Sequence, residues 1–313
     1  MNWETTELSL VNFNFSSKEE GKYLISLQDT FINNLSPFDL EARCNFKDAT
    51  KYDYLLFCRN NVLNWTDENI ILIDGLLKEI DGEFKQRGMV IPFIDNINLV
   101  KTTSKEEGGA MGYTRGNTIY VADYIMYKPK VKIKEILTHE LFHILTRSSF
   151  PFKQEMYSII RFTALDKIID LTTMNQRCRF VSNPDVSNSC SYIELKDWDG
   201  KEHRLLMTTL ARSNYHGGSL FKYIQPYFLE LDSEYNIMTY GDNLPVRKSI
   251  YGEYYKDFIM KVGQNTGYMV NPEEILAENF RIAILGEIDE VPNPEIINNI
   301  RNGMTKDNFK KEN

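Results

Sequence analysis

The chain has 313 residues, 42% hydrophobic and 26% charged, a composition typical of a globular protein with a large core. The net charge of -8 argues against a general nucleic-acid-binding or anionic-membrane surface, because both require basic patches. No apolar run reaches the about 18 residues that a membrane-spanning helix needs, and the N-terminus lacks the pattern of a Sec-type signal peptide. We therefore expect a cytoplasmic protein without nucleic-acid or membrane partners, unless another export system recognises it; the sequence does not indicate an oligomeric state.

The first long helix is predicted from residue 67 onward. Thr66 is a suitable N-cap, and apolar residues recur at helical spacing from Ile70 to Phe84, so the helix should end near Gly88. Two short apolar runs follow, at residues 89–93 and 97–102. Their β-branched residues predict strands.

Residues 113–121 alternate between apolar and polar side chains and predict one further strand. This strand ends shortly before the next helix, where it could form the edge of a sheet. An edge strand can pair with an extended peptide through its unused N–H and C=O groups. The alternative is an inner strand with both edges paired.

The next helix contains the motif His139-Glu140-Leu141-Phe142-His143. H-E-x-x-H on a helix places two imidazoles one turn apart on one face, with a carboxylate beside them. The alternative is a helix whose histidines are only core or surface residues. The apolar residues of this helix form a stripe on the opposite side, which favours a metal site. A catalytic zinc ion usually has three protein ligands, so one more must come from elsewhere.

The second half of the chain is predicted to be mainly helical. Helices are expected at residues 152–171, from the segment after His216 to Leu231, and at residues 251–261. Residues 191–195 and 203–208 predict two strands of a hairpin around a turn at residues 199–200.

The third ligand is sought on a helix that begins after Asn271. No third histidine follows the motif at metzincin spacing, and His203 and His216 each stand alone in the sequence. Glu274 and Glu278 are four residues apart and share one face of the helix, whereas Glu273 is turned by roughly 100°. Two interpretations remain at this point. Either Glu274 is the ligand, or it completes a capping box with Asn271 and Glu278 is the ligand.

The motif of His139, Glu140 and His143, followed by Glu274-x-x-x-Glu278 on a later helix, resembles the gluzincin group of zinc metallopeptidases, which includes thermolysin. Residues 271–280 also resemble uncharacterised bacterial peptidases. The resemblance implies that Glu274 is the third ligand and that Glu278 hydrogen-bonds His139.

The fold expected from this resemblance is α+β and zincin-like, with a mixed sheet whose edge strand precedes the motif helix. Residues 1–147 would form an N-terminal lobe with the sheet and the motif helix. Residues 148–313 would form a mainly helical C-terminal lobe with a β-hairpin, which carries the third ligand.

The implied function is that of a metallopeptidase, with an endopeptidase preferred, that uses one Zn²⁺ ion and acts on a peptide or protein. Glu140 would be the general base that takes a proton from water and returns it to the leaving amine. Candidate donors to the developing oxyanion are His216, Tyr251 and Tyr268.

Two other functions remain open from the sequence. A binding or regulatory protein could keep the zincin scaffold and its metal without turnover, although it would not need Glu140. An aminopeptidase would need an acidic group for the substrate α-amine, and Glu106 and Glu107 are the available candidates.

Overall fold

The computed structural model describes residues 11–91, 94, 96–166, 179–186, 190–241, 244–286 and 288–305. The helices are α1 Lys18–Ile25, α2 Thr30–Asn34, α3 Pro37–Cys44, α4 Lys51–Asn61, α5 Asp67–Gln86, α6 Lys130–Ser148, α7 Phe150–Ile159, α8 Tyr255–Val262, α9 Pro272–Leu285 and α10 Pro294–Gly303. The strands are β1 Asn12–Phe15, β2 Asn96–Thr102, β3 Gly112–Arg115, β4 Thr118–Ala122, β5 Phe162–Leu165, β6 Cys190–Lys196, β7 Glu202–Ala211, β8 Ile224–Glu230, β9 Thr239–Tyr240, β10 Leu244–Pro245 and β11 Arg247–Ser249. None of the described helices is both long and apolar enough to cross a membrane.

The first sheet has the strand order β1-β2-β4-β3 and is mixed. Strands β1, β2 and β4 run parallel, and β3 lies antiparallel to β4 at the edge. Helix α5 packs nearby and begins after Thr66, whose side chain accepts from Asn69 N. The predictions of this helix and of a strand near residues 97–102 are confirmed.

The prediction of a single strand at residues 113–121 is wrong. The chain reverses at Gly116, whose φ is +57°, and forms the hairpin of β3 and β4. A glycine adopts this left-handed conformation without the steric cost of a side chain. The edge position belongs to β3, and β4 is an inner strand. The apolar run at residues 89–93 forms only an isolated bridge, between Met89 and Thr305, and residues 92 and 93 lie outside the described part.

The second sheet has the order β11-β8-β7-β6-β5, and its neighbouring strands are antiparallel. The predicted hairpin of β6 and β7 is confirmed. The helix predicted from beyond His216 to Leu231 is wrong, because this stretch forms β8. Pro226 cannot donate to a helical hydrogen bond, and in β8 it lies opposite Thr209 of β7.

The helix predicted at residues 152–171 is also too long. It ends at Ile159, the chain turns at Arg161 with φ +64°, and β5 follows; residues 167–171 lie outside the described part. The second half of the chain is therefore not mainly helical, since it contains the five-stranded sheet. The fold is α+β.

One hydrophobic cluster extends across both halves of the chain, from Val11 to Met304. Within it, α6 packs against α9, and the rings of Phe142 and Phe280 have centroids 5.2 Å apart. This packing fixes two polar helix faces opposite each other, beside β3.

Candidate metal site

Helix α6 supplies the two histidines. Its apolar residues, among them Leu137 and Leu141, are buried in the core, as their stripe on one side of the helix predicts. His143 is fully buried with 0% exposure, and His139 is partly buried. Their rings lie one turn apart, with centroids 4.8 Å from each other.

Helix α9 supplies the facing carboxylates. The Asn271 side chain caps it by accepting from Glu274 N at 2.9 Å, and Pro272 occupies the first turn. The Glu274 carboxylate does not fold back onto the cap. It points to the histidines instead, with 3.0 Å between its Oε2 and His139 Nε2.

The two Nε2 atoms converge on one carboxylate oxygen. Glu274 Oε2 lies 3.0 Å from His139 Nε2 and 3.8 Å from His143 Nε2. All three ligand atoms lie within 4.8 Å of one another. Ligand atoms on a tetrahedral zinc ion, with bonds of about 2.1 Å, lie about 3.4 Å apart. The described residues therefore contain a donor set of the right type and spacing for one ion.

A buried polar atom supports the same fit. Within the described part of the chain, His143 Nε2 has no hydrogen-bond partner, although it is buried. An unpaired buried polar atom is costly and calls for an explanation. A metal ion bound to this nitrogen would satisfy it.

Glu278 holds His139 from the outer side. His139 Nδ1 lies 2.9 Å from Glu278 Oε1, and the other oxygen of Glu278 accepts from Arg281 at 3.0 Å. Because a carboxylate accepts, Nδ1 carries a proton, and with a metal ion bound Nε2 would present its lone pair inward. The position expected for Glu278 is thus the one observed.

Glu273 holds His143 in the same way, which the sequence did not predict. Its Oε1 lies 3.2 Å from His143 Nδ1, and Thr146 also donates to this oxygen. Tyr157 donates to the other oxygen at 2.5 Å. Both histidines therefore present Nε2 to the same point, each oriented by its own carboxylate.

Charges in this cluster shift several pKa values. Burial opposes the charged form of His139, but the hydrogen bonds to Glu274 and Glu278 outweigh it and raise its pKa well above the ordinary value. Burial would raise the pKa of Glu274, yet the His143 charge and the His139 hydrogen bond lower it to about 2. The pKa of Glu278 is also about 2, because its bonds to His139 outweigh its burial. The carboxylates on α9 are therefore charged at neutral pH.

Glu140 lies beside the ligand set and against β3. Its Oε2 is buried and has no hydrogen-bond partner among the described residues. Burial, with the negative charge of Asp185 added, raises the pKa of Glu140 to about 8. An added Cβ on Gly112 would lie 2.9 Å from Glu140 Oε1, so β3 leaves room for this carboxylate only because residue 112 is glycine.

A loop from the second half of the chain reaches the same edge. Thr114 donates to Asp185 Oδ1 from its backbone N at 2.6 Å and from its hydroxyl at 3.0 Å. Arg147 donates to the backbone carbonyls of Pro184 and Asp185. The Asp185 backbone N also donates to Asn183 Oδ1 at 2.9 Å. The Asp185 carboxylate is thus held in a fixed position at the edge of β3.

Asn183 and Asp185 connect this loop to the candidate metal ligands. Asn183 Nδ2 donates to Glu274 Oε1 at 2.6 Å, which leaves Oε2 to face the histidines. An oxygen of Asp185 lies within 4.8 Å of a Glu140 oxygen and of a His143 ring nitrogen. Burial raises the pKa of Asp185, and the charge of His143 lowers it in part.

A cleft of about 930 Å³ opens onto the site and is lined by Gly112, His139, Glu140, Asp185 and Tyr268, among others. Tyr268 is 45% exposed, and burial of its hydroxyl and the nearby charge of Glu274 raise its pKa. His216 and Tyr251 are both exposed and are not part of this lining. Of the three predicted oxyanion donors, the structure brings only Tyr268 to the cleft.

The two acids suggested for amine recognition have other partners. Glu106 is buried and accepts from the Tyr113 hydroxyl at 2.9 Å. Glu107 accepts from Arg43 Nε at 3.0 Å and from Tyr54 at 2.5 Å. The acid that stands at the β3 edge is Asp185, which sequence reasoning missed. A turn-forming Asn-Pro-Asp segment was its only local signal.

Comparisons of this chain with protein-family models, curated proteins and solved structures find no match.

Proposed function

We propose that the protein is a zinc-dependent peptidase with a zincin-like arrangement of strand, motif helix and carboxylate helix. The observation that carries the proposal is the convergence of His139 Nε2 and His143 Nε2 on Glu274 Oε2, 3.0 and 3.8 Å away. Two nitrogens and one carboxylate oxygen are a common ligand set for catalytic zinc. The two carboxylates beside His203, by contrast, each face one ring nitrogen of this residue, and no second histidine among the described residues shares either of them.

His139, His143 and Glu274 would hold one zinc ion, with Glu278 and Glu273 orienting the two imidazoles. A bound zinc ion supplies Lewis acidity, which polarises a peptide carbonyl and lowers the pKa of water toward 7. Glu140 adjoins this position, and its Oε2 has no other partner among the described residues. Its carboxylate takes one proton from the attacking water and delivers it to the leaving nitrogen.

The remaining groups of the cleft position the substrate. In β3, Thr114 N–H points away from β4 toward Asp185, and backbone groups alternate in direction along a strand. The N–H and C=O of Gly112 therefore also point away from β4, next to Glu140. They can hydrogen-bond the backbone of an extended peptide. The Tyr268 hydroxyl is the candidate donor to the carbonyl oxygen as negative charge develops there.

Replacing Glu140 with Gln tests the proposal, because Gln keeps the shape of the side chain and cannot accept the proton. Zinc-loaded wild type and variant would each be incubated with a pool of tryptic peptides, and new termini measured by mass spectrometry. We expect the variant to keep one zinc ion and to lose activity by about 10²- to 10⁴-fold.

Equal behaviour of the two proteins would refute the peptidase function. Zinc binding without any cleavage by wild type would favour the non-catalytic binding protein. Absence of bound zinc from both would remove the metal site itself.

A further inference from the structure

The edge of β3 is usable by a substrate over only a short distance. Gly112 directs its backbone groups away from β4, but the next outward donor, Thr114 N–H, already bonds to Asp185 Oδ1 at 2.6 Å. Arg147 covers the following turn by donating to the Gly116 carbonyl at 2.8 Å. A peptide that pairs with Gly112 therefore cannot continue its pairing to Thr114. At that point it meets the Asp185 carboxylate instead.

The charge at this point selects one end of a peptide. In an antiparallel pairing with β3, the N-terminal side of the peptide points toward Thr114 and Asp185. In a parallel pairing its C-terminal side would lie there. The Asp185 carboxylate, with an oxygen within 4.8 Å of a Glu140 oxygen, would repel a terminal carboxylate and attract a terminal ammonium.

The distance suits one amino-acid residue. An Asp185 oxygen lies within 4.8 Å of a Glu140 oxygen and of a His143 ring nitrogen. In a peptide the α-nitrogen lies about 2.5 Å from the carbonyl carbon of its own residue, as standard bond lengths require. A hydrogen bond from that nitrogen to Asp185 would bring the first carbonyl, and no later one, beside Glu140.

We propose that Asp185 binds the α-ammonium group of the substrate, so that the enzyme is an aminopeptidase that removes one N-terminal residue at a time. The inference rests on the proposed peptidase function and deepens it. One water is added across the first C–N bond, which releases a free amino acid and a peptide with a new α-amine. The new terminus can bind again.

The site is built before the substrate arrives. Four hydrogen bonds fix the position of Asp185. Thr114 donates two to Oδ1, Arg147 donates one to the backbone carbonyl, and the Asp185 N–H donates one to Asn183 Oδ1. Within the described part of the chain no group donates to Oδ2, which can accept from an ammonium group. A recognition group held on a rigid frame loses little entropy when it binds.

The first experiment compares one tryptic peptide pool with its N-acetylated copy, using the zinc-loaded enzyme. We expect ladders shortened by single residues from the amine pool, and at least a 10-fold lower rate with the acetylated pool. In Asp185→Asn, the amide oxygen can still accept from Thr114, but the negative charge is lost. This variant should keep its zinc and lose about 10- to 100-fold of its rate on free-amine peptides, the range for a hydrogen bond to a charged group.

The matched control is Glu135→Gln, which removes a carboxylate from another part of the cleft lining. It should retain the preference for free amines. Internal cleavage of acetylated peptides at the rate of free ones would overturn the proposal and leave the peptidase function intact. A large loss of zinc in Asp185→Asn would also overturn it, because Asp185 would then be a metal ligand.

A binding measurement makes the test independent of turnover. In the Glu140→Gln background, calorimetry would compare tetra-alanine with N-acetyl-tetra-alanine. We expect at least 10-fold tighter binding of the free amine, and equal affinities once Asp185→Asn is added. Equal affinities before that addition would refute amine recognition, even if no peptide is ever cleaved.

Discussion

His203 and the pair of His139 and His143 are all hydrogen-bonded to carboxylates, but in different geometries. His203 at the start of β7 lies between Glu230 and Asp197, with Nδ1 2.7 Å from one and Nε2 3.0 Å from the other. Both of its nitrogens are used within the protein. In the pair, each Nδ1 is held by its own carboxylate, and the two Nε2 atoms meet at Glu274. Convergence of ring nitrogens on one oxygen, rather than contact with acids, is what makes the pair a candidate metal site and His203 a structural histidine.

The largest difference in zinc affinity is expected between two variants, in which one histidine from each region is replaced by alanine. His143→Ala removes a proposed zinc ligand and should lower zinc affinity by more than about 100-fold. Losing a residue that only hydrogen-bonds a ligand usually costs less than this. His203→Ala should leave zinc affinity within about 2-fold, since His203 belongs to no group of three possible metal ligands among the described residues. Competition with a chromogenic chelator measures both. Similar losses in the two variants would contradict the distinction.

A smaller effect is expected from the carboxylates behind the rings. Glu273→Gln weakens the acceptor that orients His143, and should cost about 10- to 100-fold in zinc affinity. Glu230→Gln makes the same change beside His203 and should have no effect on zinc. The same chelator assay applies, and circular dichroism checks that both variants are folded. An unchanged zinc affinity in Glu273→Gln would show that the charge of this carboxylate does not help to orient His143.

The smallest effect concerns stability. His203→Gln breaks the link between Asp197 and Glu230, two partly buried carboxylates, and should lower the free energy of unfolding by about 1–2 kcal/mol. His216→Gln, at an exposed loop position, should change it by less than about 0.5 kcal/mol. Urea denaturation without added zinc measures both values. Equal stability of the two variants would mean that His203 has no structural role.

The parts of the site that the sequence predicted are those with local signals. The H-E-x-x-H spacing places His139, Glu140 and His143 on one helix face whatever the rest of the fold does. Asn271 and Pro272 define the start of α9 through capping chemistry, and the four-residue spacing puts Glu274 and Glu278 together.

The contact of Glu273 with His143 does not follow from the sequence, because the position of a residue around one helix gives only its direction. Its side chain leaves α9 in a different direction from Glu274, but His143 presents Nδ1 on that outer side, one helix turn from His139. The carboxylate therefore reaches the back of the ring rather than the front. Only the packing of α6 on α9 reveals this, and packing is not encoded in the spacing of either helix.

Asp185 and β8 were missed for a related reason. Asp185 meets Thr114 across 71 positions of sequence, and β8 exists because β7 pairs with it. The apolar residues of β8 fit a helical period as well as a strand, so the period alone could not decide between them. The long-range partner made the choice.

The contacts that Asp185 and Arg147 make along β3 also affect how the protein behaves in concentrated solution. An uncovered sheet edge is a template on which a second copy can add a strand, which leads to aggregation. Here the Thr114 N–H donates to Asp185, and the Gly116 carbonyl accepts from Arg147. The residual open stretch near Gly112 is recessed in the cleft and is too short for stable pairing with another copy. The loop proposed to stop the N-terminus of a bound peptide thus also covers the donor and acceptor through which a second copy could pair with this edge.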